Sequence, residues 1–371
     1  MNVTRITTVL AAITLGGAAT CGVPGVMGHA QDSPITVRHL GMSTLPDDFE
    51  FAGQRVGGLS GIDYSQGRKA YLAISDNRGE AGPVRAYTLR LPIDDDGQLG
   101  TPEFEKLITL SDTNGSPYAA RTVDPESVRW TPNHKGMIYT SEGEAKVGRA
   151  GFVREADLDG RYVRDLPVPE AFTPRLESDR QTAGIRDNLG FESMDLAQGS
   201  SSVVALSENA LVQDGAAAST EAESRSRLVR VHRTTGENLG EFVYPVDKVA
   251  PGGMPVATGV AEILSISADR YLTLERSNVP GLGFTARIYE TSTAGADSVT
   301  GAHAAPPTAR PMTKTLLFDF RANGIDPQCA EGMTWGPTLR GGQRSLIVVS
   351  DNNFGLAGST AFHLLAVGGM D

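Results

Sequence analysis

EGMTWGPTLRGGQRSLIVVSDNNF, residues 331–354, opens on an acid, Glu331, and runs its apolar segment into a second, Asp351. Arg340-Gly341-Gly342 between them is turn-forming, and the apolar run is too short for a typical helix, so the stretch predicts a β-hairpin flanked by two carboxylates. The same design recurs. Apolar runs that end in an acid occur at YLAISDN (71–77), MIYTSEG (137–143), VVALSEN (203–209), YLTLERS (271–277) and LIVVSDN (346–352). Their acids, Asp76, Glu142, Glu208, Glu275 and Asp351, are spaced by 66, 66, 67 and 76 residues. Each run has an upstream partner: GGLSGIDYS from Gly57, DPESVRWTP from Asp124, GFESMDLAQ from Gly190, GVAEILSIS from Gly259 and CAEGMTWGP from Cys329. Four partners carry a matching acid, Glu126, Glu192, Glu262 and Glu331, whereas the first has Ser60.

Two more strand-like runs follow each hairpin, such as RLVRVHRTT and GEFVYPVDK. Four strands per repeat make a propeller blade, so the predicted fold is all-β, a single β-propeller of five blades. A lone AFHLLAV remains at the C-terminus while ITVRHLGMS near residue 35 belongs to no unit; the N-terminal strand is expected to complete the last blade, closing the ring and hiding its edges. Six blades remain open if the connections 102–123 or 165–187 hide strands. The segment 291–311 has the composition of an exposed flexible loop.

The chain has 371 residues, 40% hydrophobic and 21% charged, with 43 Gly and 21 Pro scattered among short apolar runs, which agrees with an all-β domain able to bury a sizeable core. Arg5, an apolar stretch from Ile6 to Thr20 and small residues up to Gly28-His29-Ala30 read as a signal peptide cut after Ala30, leaving residues 31–371 as one domain outside the cytoplasm. A lipoprotein anchored at Cys21 is the alternative, although Ala18-Ala19-Thr20 lacks the usual large aliphatic residue. No later segment is apolar enough to span a membrane. Cleavage removes Arg5 and no acid, leaving 32 basic against 44 acidic residues and a net charge of −12, a poor surface for nucleic acid. Only Cys329 survives cleavage, which excludes an intramolecular disulfide and, on the same count, a metal–thiolate site.

In a propeller the equivalent ends of the inner strands meet at one mouth. Glu126, Glu192, Glu262 and Glu331 should therefore form a partial ring, with Asp76, Glu142, Glu208, Glu275 and Asp351 near it. Crowded carboxylates repel, and protons, basic neighbours or a cation must relieve them. Ca²⁺ suits such a set because it takes six to eight hard oxygens in irregular geometry, amide oxygens such as those of Asn77, Asn209, Asn352 and Asn353 included. Zn²⁺ would want His or Cys, too few in any cluster. The bland alternative is that these acids only bond loop amides and lock blades together. Arg78, Lys146 and Arg276 follow the repeat acids closely enough to balance charge or contact an anion. Other motifs are weaker: Gly58-Leu59-Ser60-Gly61 lacks the spacing of a nucleophile elbow, Arg38-His39-Leu40-Gly41 departs from the Arg-His-Gly of histidine phosphatases and makes His39 structural, and Asp94–Gly97 and Asp157–Gly160 read as turns.

GGLSGIDYSQGRKAYLAISDNRG, DPESVRW with MIYTSEGE, NLGFESMDLA with VVALSEN, YLTLERS, and CAEGMTWGP with LIVVSDNNF together resemble the signature blocks of the phytase-like family with esterase-like activity, a group of secreted β-propellers, over about residues 56–355. Ser127 and Ser193 stand where that pattern tends to have glycine. The resemblance implies phosphoester or carboxylester hydrolysis, which with the repeat acids gives a Ca²⁺-dependent hydrolase acting on a small anionic or ester substrate, as a monomer. In that scheme Glu126, Glu192, Glu331 and Asp351 serve catalysis as metal holders or general base, the repeat acids including Glu262 and Glu275 hold metal, and Arg78, Lys146 and Arg276 bind substrate. The alternative is a non-enzymatic extracellular binding or scaffold propeller with a structural cation, its rim loops such as 291–311 carrying recognition; a lactone or carboxylester hydrolase would share the acidic mouth.

Overall fold

The computed structural model describes residues 35–94, 97–178, 180–197, 199–248, 257–279, 281–356 and 358–370; the expected signal peptide and Cys21 lie outside them. Alternation of buried side chains along short β-branched runs drives the architecture. In Ala70–Ser75, Tyr71 and Ala73 pack toward one neighbouring sheet while Leu72 and Ile74 pack toward the other, and Leu346/Val348 and Ile347/Val349 divide in the same way. Strands buried on both faces form radial sheets, with an apolar seam on either side.

Five four-stranded antiparallel sheets result, each listed from the inside out. Blade one is Leu59–Ser65, Ala70–Ser75, Arg85–Arg90 and Glu103–Thr109. Blade two is Pro125–Trp130, Gly136–Ser141, Phe152–Asp157 and Tyr162–Leu166. Blade three is Phe191–Ala197, Ser202–Ser207, Ser224–His232 and Asn238–Val246. Blade four is Ala257–Ser265, Arg270–Val279, Gly283–Ser292 and Thr313–Asp319. Blade five is Cys329–Thr338, Arg344–Asp351, Ala361–Gly368 and the N-terminal Thr36–Thr44, which pairs from Thr36↔Gly368 to Thr44↔Ala361 and closes the ring as expected. Each inner strand touches the inner strands before and after it, and the fifth touches the first.

Six blades are excluded. The connection 102–123 holds only blade one's outer strand, and 165–187 holds a two-stranded ribbon, Arg175–Glu177 with Arg180–Ala183. The segment 291–311 is not a free loop either: Val299, Ala305 and Ala309 bury against Val243 of blade three, Arg227 donates to the Ala302 carbonyl at 2.8 Å, and the Ala305 amide donates to Asp214 at 2.7 Å. Its apolar residues are too widely spaced for a strand yet regular enough to dock. His39 sits on the closing strand, its Nε2 3.3 Å from Nδ1 of the fully buried His363, in a structural setting. Asp157–Gly160 is a turn, with the Gly160 amide on the Asp157 carbonyl, and Asp94–Gly97 closes in the same way.

A polar layer crosses the axis and gives the channel a floor. Arg129 of blade two, fully buried, donates to Asp195 of blade three at 2.8 Å, to Glu262 of blade four at 3.1 Å and to the Ile263 carbonyl at 3.0 Å. Asp63 of blade one accepts from the Trp130 amide at 2.8 Å and from the hydroxyl of Thr334 of blade five at 3.2 Å. All five blades thus contribute to one hydrogen-bonded layer.

Candidate functional site

Above that floor, every inner strand carries a β-bulge near its mouth end, between Leu59 and Gly61, Pro125 and Val128, Phe191 and Ser193, Val260 and Glu262, and Ala330 and Gly332. A bulge leaves a residue unpaired and turns its side chain off the alternating pattern. The bulge residues are Ser60, Glu126, Glu192, Ala261 and Glu331. Across the hairpin, Ser75, Ser141, Ser207, Glu275 and Ser350 pair with the residue preceding the bulge, so the next positions, Asp76, Glu142, Glu208, Arg276 and Asp351, are equivalent.

This register corrects two assignments in blade four. Glu262 lies one residue past the bulge, in the place of Gly61, Ser127, Ser193 and Gly332, and a one-residue displacement sends a side chain to the other face. It belongs to the floor, where it accepts from Ser127 Oγ, the Met194 and Ile263 amides and Arg129. Glu275 occupies the serine position instead of the acid position. It accepts from Lys314 Nζ at 2.5 Å and Tyr244 Oη at 2.8 Å, away from the mouth. Blade four therefore supplies neither acid; it supplies Arg276.

The remaining predicted acids do converge. A cavity of about 310 Å³ is lined by Asp76, Glu126, Glu142, Glu192, Glu208 and Glu331, with Arg78, Arg276, Cys329 and Asn353. Asp124, two residues before Glu126, also lines it and was missed by sequence reasoning; its signal was an acid where the other repeats have Gly58, Gly190, Gly259 and Cys329. Three sets bring carboxylate oxygens within 4.8 Å of one another: Asp76 with Glu331 and Asp351; Asp124 with Glu126 and Glu142; and Glu142 with Glu192 and Glu208. Of the four asparagines, Asn353 lines the cavity, whereas Asn77 and Asn209 spend both side-chain ends on nearby backbone. The Asn352 side chain accepts from the Phe354 amide.

Lys146 does not join them. It is more than half exposed and pairs with Asp187 at 3.2 Å. Arg276 is buried in the ring, with Nη2 3.3 Å from Glu192, 3.6 Å from Glu208 and 3.6 Å from Glu331. Arg78, partly exposed, has Nε 3.3 Å from Asp124.

Eight carboxyls thus face two guanidinium groups. Burial pushes the acids up: Asp351 to about 7, with Glu331 adding to the effect; Glu331 to about 7 against the pull of Arg276; and Asp124 to about 7 against Arg78. Asp76, Glu126, Glu142 and Glu208 rise well above the carboxylate range, burial first and neighbouring carboxylates second. Asp351 is the sharpest case. It is 0% exposed, and neither carboxylate oxygen has a partner within hydrogen-bond distance, only the more distant amides of Gly58, Asn352 and Asn353. An orphaned carboxylate beside two others, in a pocket of hard oxygen donors, fits a hard divalent cation.

Comparison with solved structures finds propellers at very low identity. The Cps50 (Swd1) β-propeller domain of Myceliophteria thermophila shares 10% identity, covering 90% of this chain and 100% of that one at a TM-score of 0.35. U3-55K shares 7%, covering 88% and 98% at 0.36, and the N-terminal domain of Nup159 shares 10%, covering 90% and 95% at 0.34. Likenesses this distant add nothing to the sheet topology described above. No curated protein matches the chain. The family model described as "Phytase-like: Esterase-like activity of phytase" matches residues 54–354, from just before the first hairpin to just past Asp351, and the chain belongs to that family.

Proposed function

We propose that the protein is an exported, Ca²⁺-dependent hydrolase of phosphoric monoesters working at the acidic mouth. The observation that carries this reading is Asp351, buried with both oxygens unpartnered beside Asp76 and Glu331, a state whose cost a bound cation would remove. Asp76, Glu331 and Asp351 would hold one ion, and Glu142, shared between the other two sets, would hold another. When bound, calcium would neutralise the mouth toward an anionic substrate and polarise an ester oxygen.

The chain's own groups divide the remaining work. Arg276, spread over three glutamates, is a resident counter-charge, which leaves Arg78 at the cavity wall to meet substrate oxygens. Glu126 makes no ion pair with either arginine and serves as the base that takes a proton from attacking water. The floor around Arg129 blocks the axis, so substrate enters and product leaves on the same side.

Purified protein assayed on phytate and nitrophenyl phosphate, with calcium and with chelator, tests the reading; turnover should require calcium. Inertness toward both substrates overturns it. Turnover of carboxylesters or lactones alone would move the same mouth to carboxylester chemistry. The binding-scaffold alternative loses its main recognition loop, since 291–311 is docked on blade three. N-terminal sequencing of exported protein checks cleavage after Ala30.

A further inference from the structure

Cys329 opens the inner strand of blade five at the position where blade two has Asp124, itself a wall of the mouth, and where the other blades have glycine. The fifth blade thus offers sulfur where the second offers oxygen. Cys329 is 2% exposed yet lines the mouth cavity, and its thiol donates to Glu331 Oε1 at 3.2 Å. Across the hairpin its Cα partner is Asp351, the residue with two orphaned carboxylate oxygens.

These groups are unequal as ligands. Ca²⁺ gains nothing from sulfur, whereas Zn²⁺ and its softer congener Cd²⁺ bind thiolate strongly and accept carboxylate oxygens to complete their shell. Counting a single cysteine rules out a site built of thiolates; it does not rule out one thiolate among carboxylates, and the structure corrects that expectation. We propose that the blade-five side of the mouth is a mixed sulfur–oxygen site for a thiophilic divalent cation, held by Cys329 Sγ with Glu331 and Asp351 and completed by Asp76, and that such a cation displaces calcium. On binding, the thiol proton leaves to solvent and the sulfur–metal bond replaces it, so charge balances without any redox partner. The inference rests on the preceding section only in taking the mouth as a cation site; it does not need hydrolysis.

The test titrates Cd²⁺ into full-length protein carrying Cys21→Ser in every arm and reads the ultraviolet sulfur-to-cadmium charge-transfer band. The band should saturate at a single equivalent and vanish in Cys329→Ser. Asp351→Asn should weaken Cd²⁺ binding by about tenfold or more, and excess Ca²⁺ should move the titration to higher Cd²⁺. Absence of the band overturns the proposal. So does a band indifferent to both Asp351→Asn and Ca²⁺, which would mean the thiol binds alone. Should Cys329→Ser fail to fold, those two arms still decide. A protein inert toward every ester would leave the band unchanged, so failure of the hydrolase reading is separately visible.

Discussion

The mouth and the floor lie on consecutive turns of the same inner strands, and both are rich in buried carboxylates, yet their charge accounts are opposite. On the floor, Asp195 and Glu262 share Arg129, and the amides of Ser265, Met194 and Ile263 fill remaining acceptor sites. At the mouth, eight carboxyls share Arg78 and Arg276, and Asp351 has no partner at all. A buried acid with its partners joins blades; a buried acid without them waits for something. The contrast separates structural from functional charge better than acid content does.

The largest effect should come from breaking the floor. Arg129→Met leaves Asp195 and Glu262 buried and unpaired, and unfolding measurements should show a loss of about 3–5 kcal/mol. A change comparable to a surface substitution would mean that the five blades are held by their apolar seams alone.

Calcium should act on the mouth and only there. At about 100 times its dissociation constant it should add about 2.7 kcal/mol to wild-type stability, a gain that Asp351→Asn largely removes along with activity. The pH dependence has a definite sign. Asp124, Glu331 and Asp351 titrate at about 7 in the fold against 3.8–4.5 ordinarily, so the folded state holds more protons between about pH 4 and 7. Stability in chelator should therefore fall as pH rises through that window, and calcium should flatten the curve. In chelator at pH 8, Asp351→Asn should melt above wild type. Thermal melts across pH check all three statements, and a metal-free curve that rises over the window contradicts the unpaired mouth.

Arg276→Gln should cost metal-free protein about 1–3 kcal/mol, less than Arg129→Met because carboxyls near the cavity can take up protons. The variant should also show a larger calcium-induced rise in melting temperature than wild type. The smallest effect belongs to Lys146→Ala, which severs only an exposed pair and should stay within about 0.5 kcal/mol with activity unchanged. A substantial loss of turnover there would restore Lys146 to the site.

Much of this was legible before folding. The repeat placed Asp76, Glu126, Glu142, Glu192, Glu208, Glu331 and Asp351 at one mouth because equivalent positions in a closed ring must converge. Glu262 and Glu275 were misplaced for one shared reason: in both blade-four segments the nearest acid stands one residue from the equivalent position, and acids were matched where positions should have been. Aligned without gaps, YLTLERS already sets Arg276 against Asp76 and Glu142, and GVAEILSIS sets Ala261 against Glu126. Asp124 was hidden because it has no counterpart acid in any other repeat.

Residue pattern alone determined the five-fold repeat, the strand content and the acidic character of one end, since alternation and spacing are local properties of the chain. Only tertiary structure decided which acids are neutralised. Whether Glu262 meets Arg129 or Asp351 meets nothing depends on bulge register and on side chains more than sixty positions apart in the chain coming within about 3 Å, the distance of a hydrogen bond.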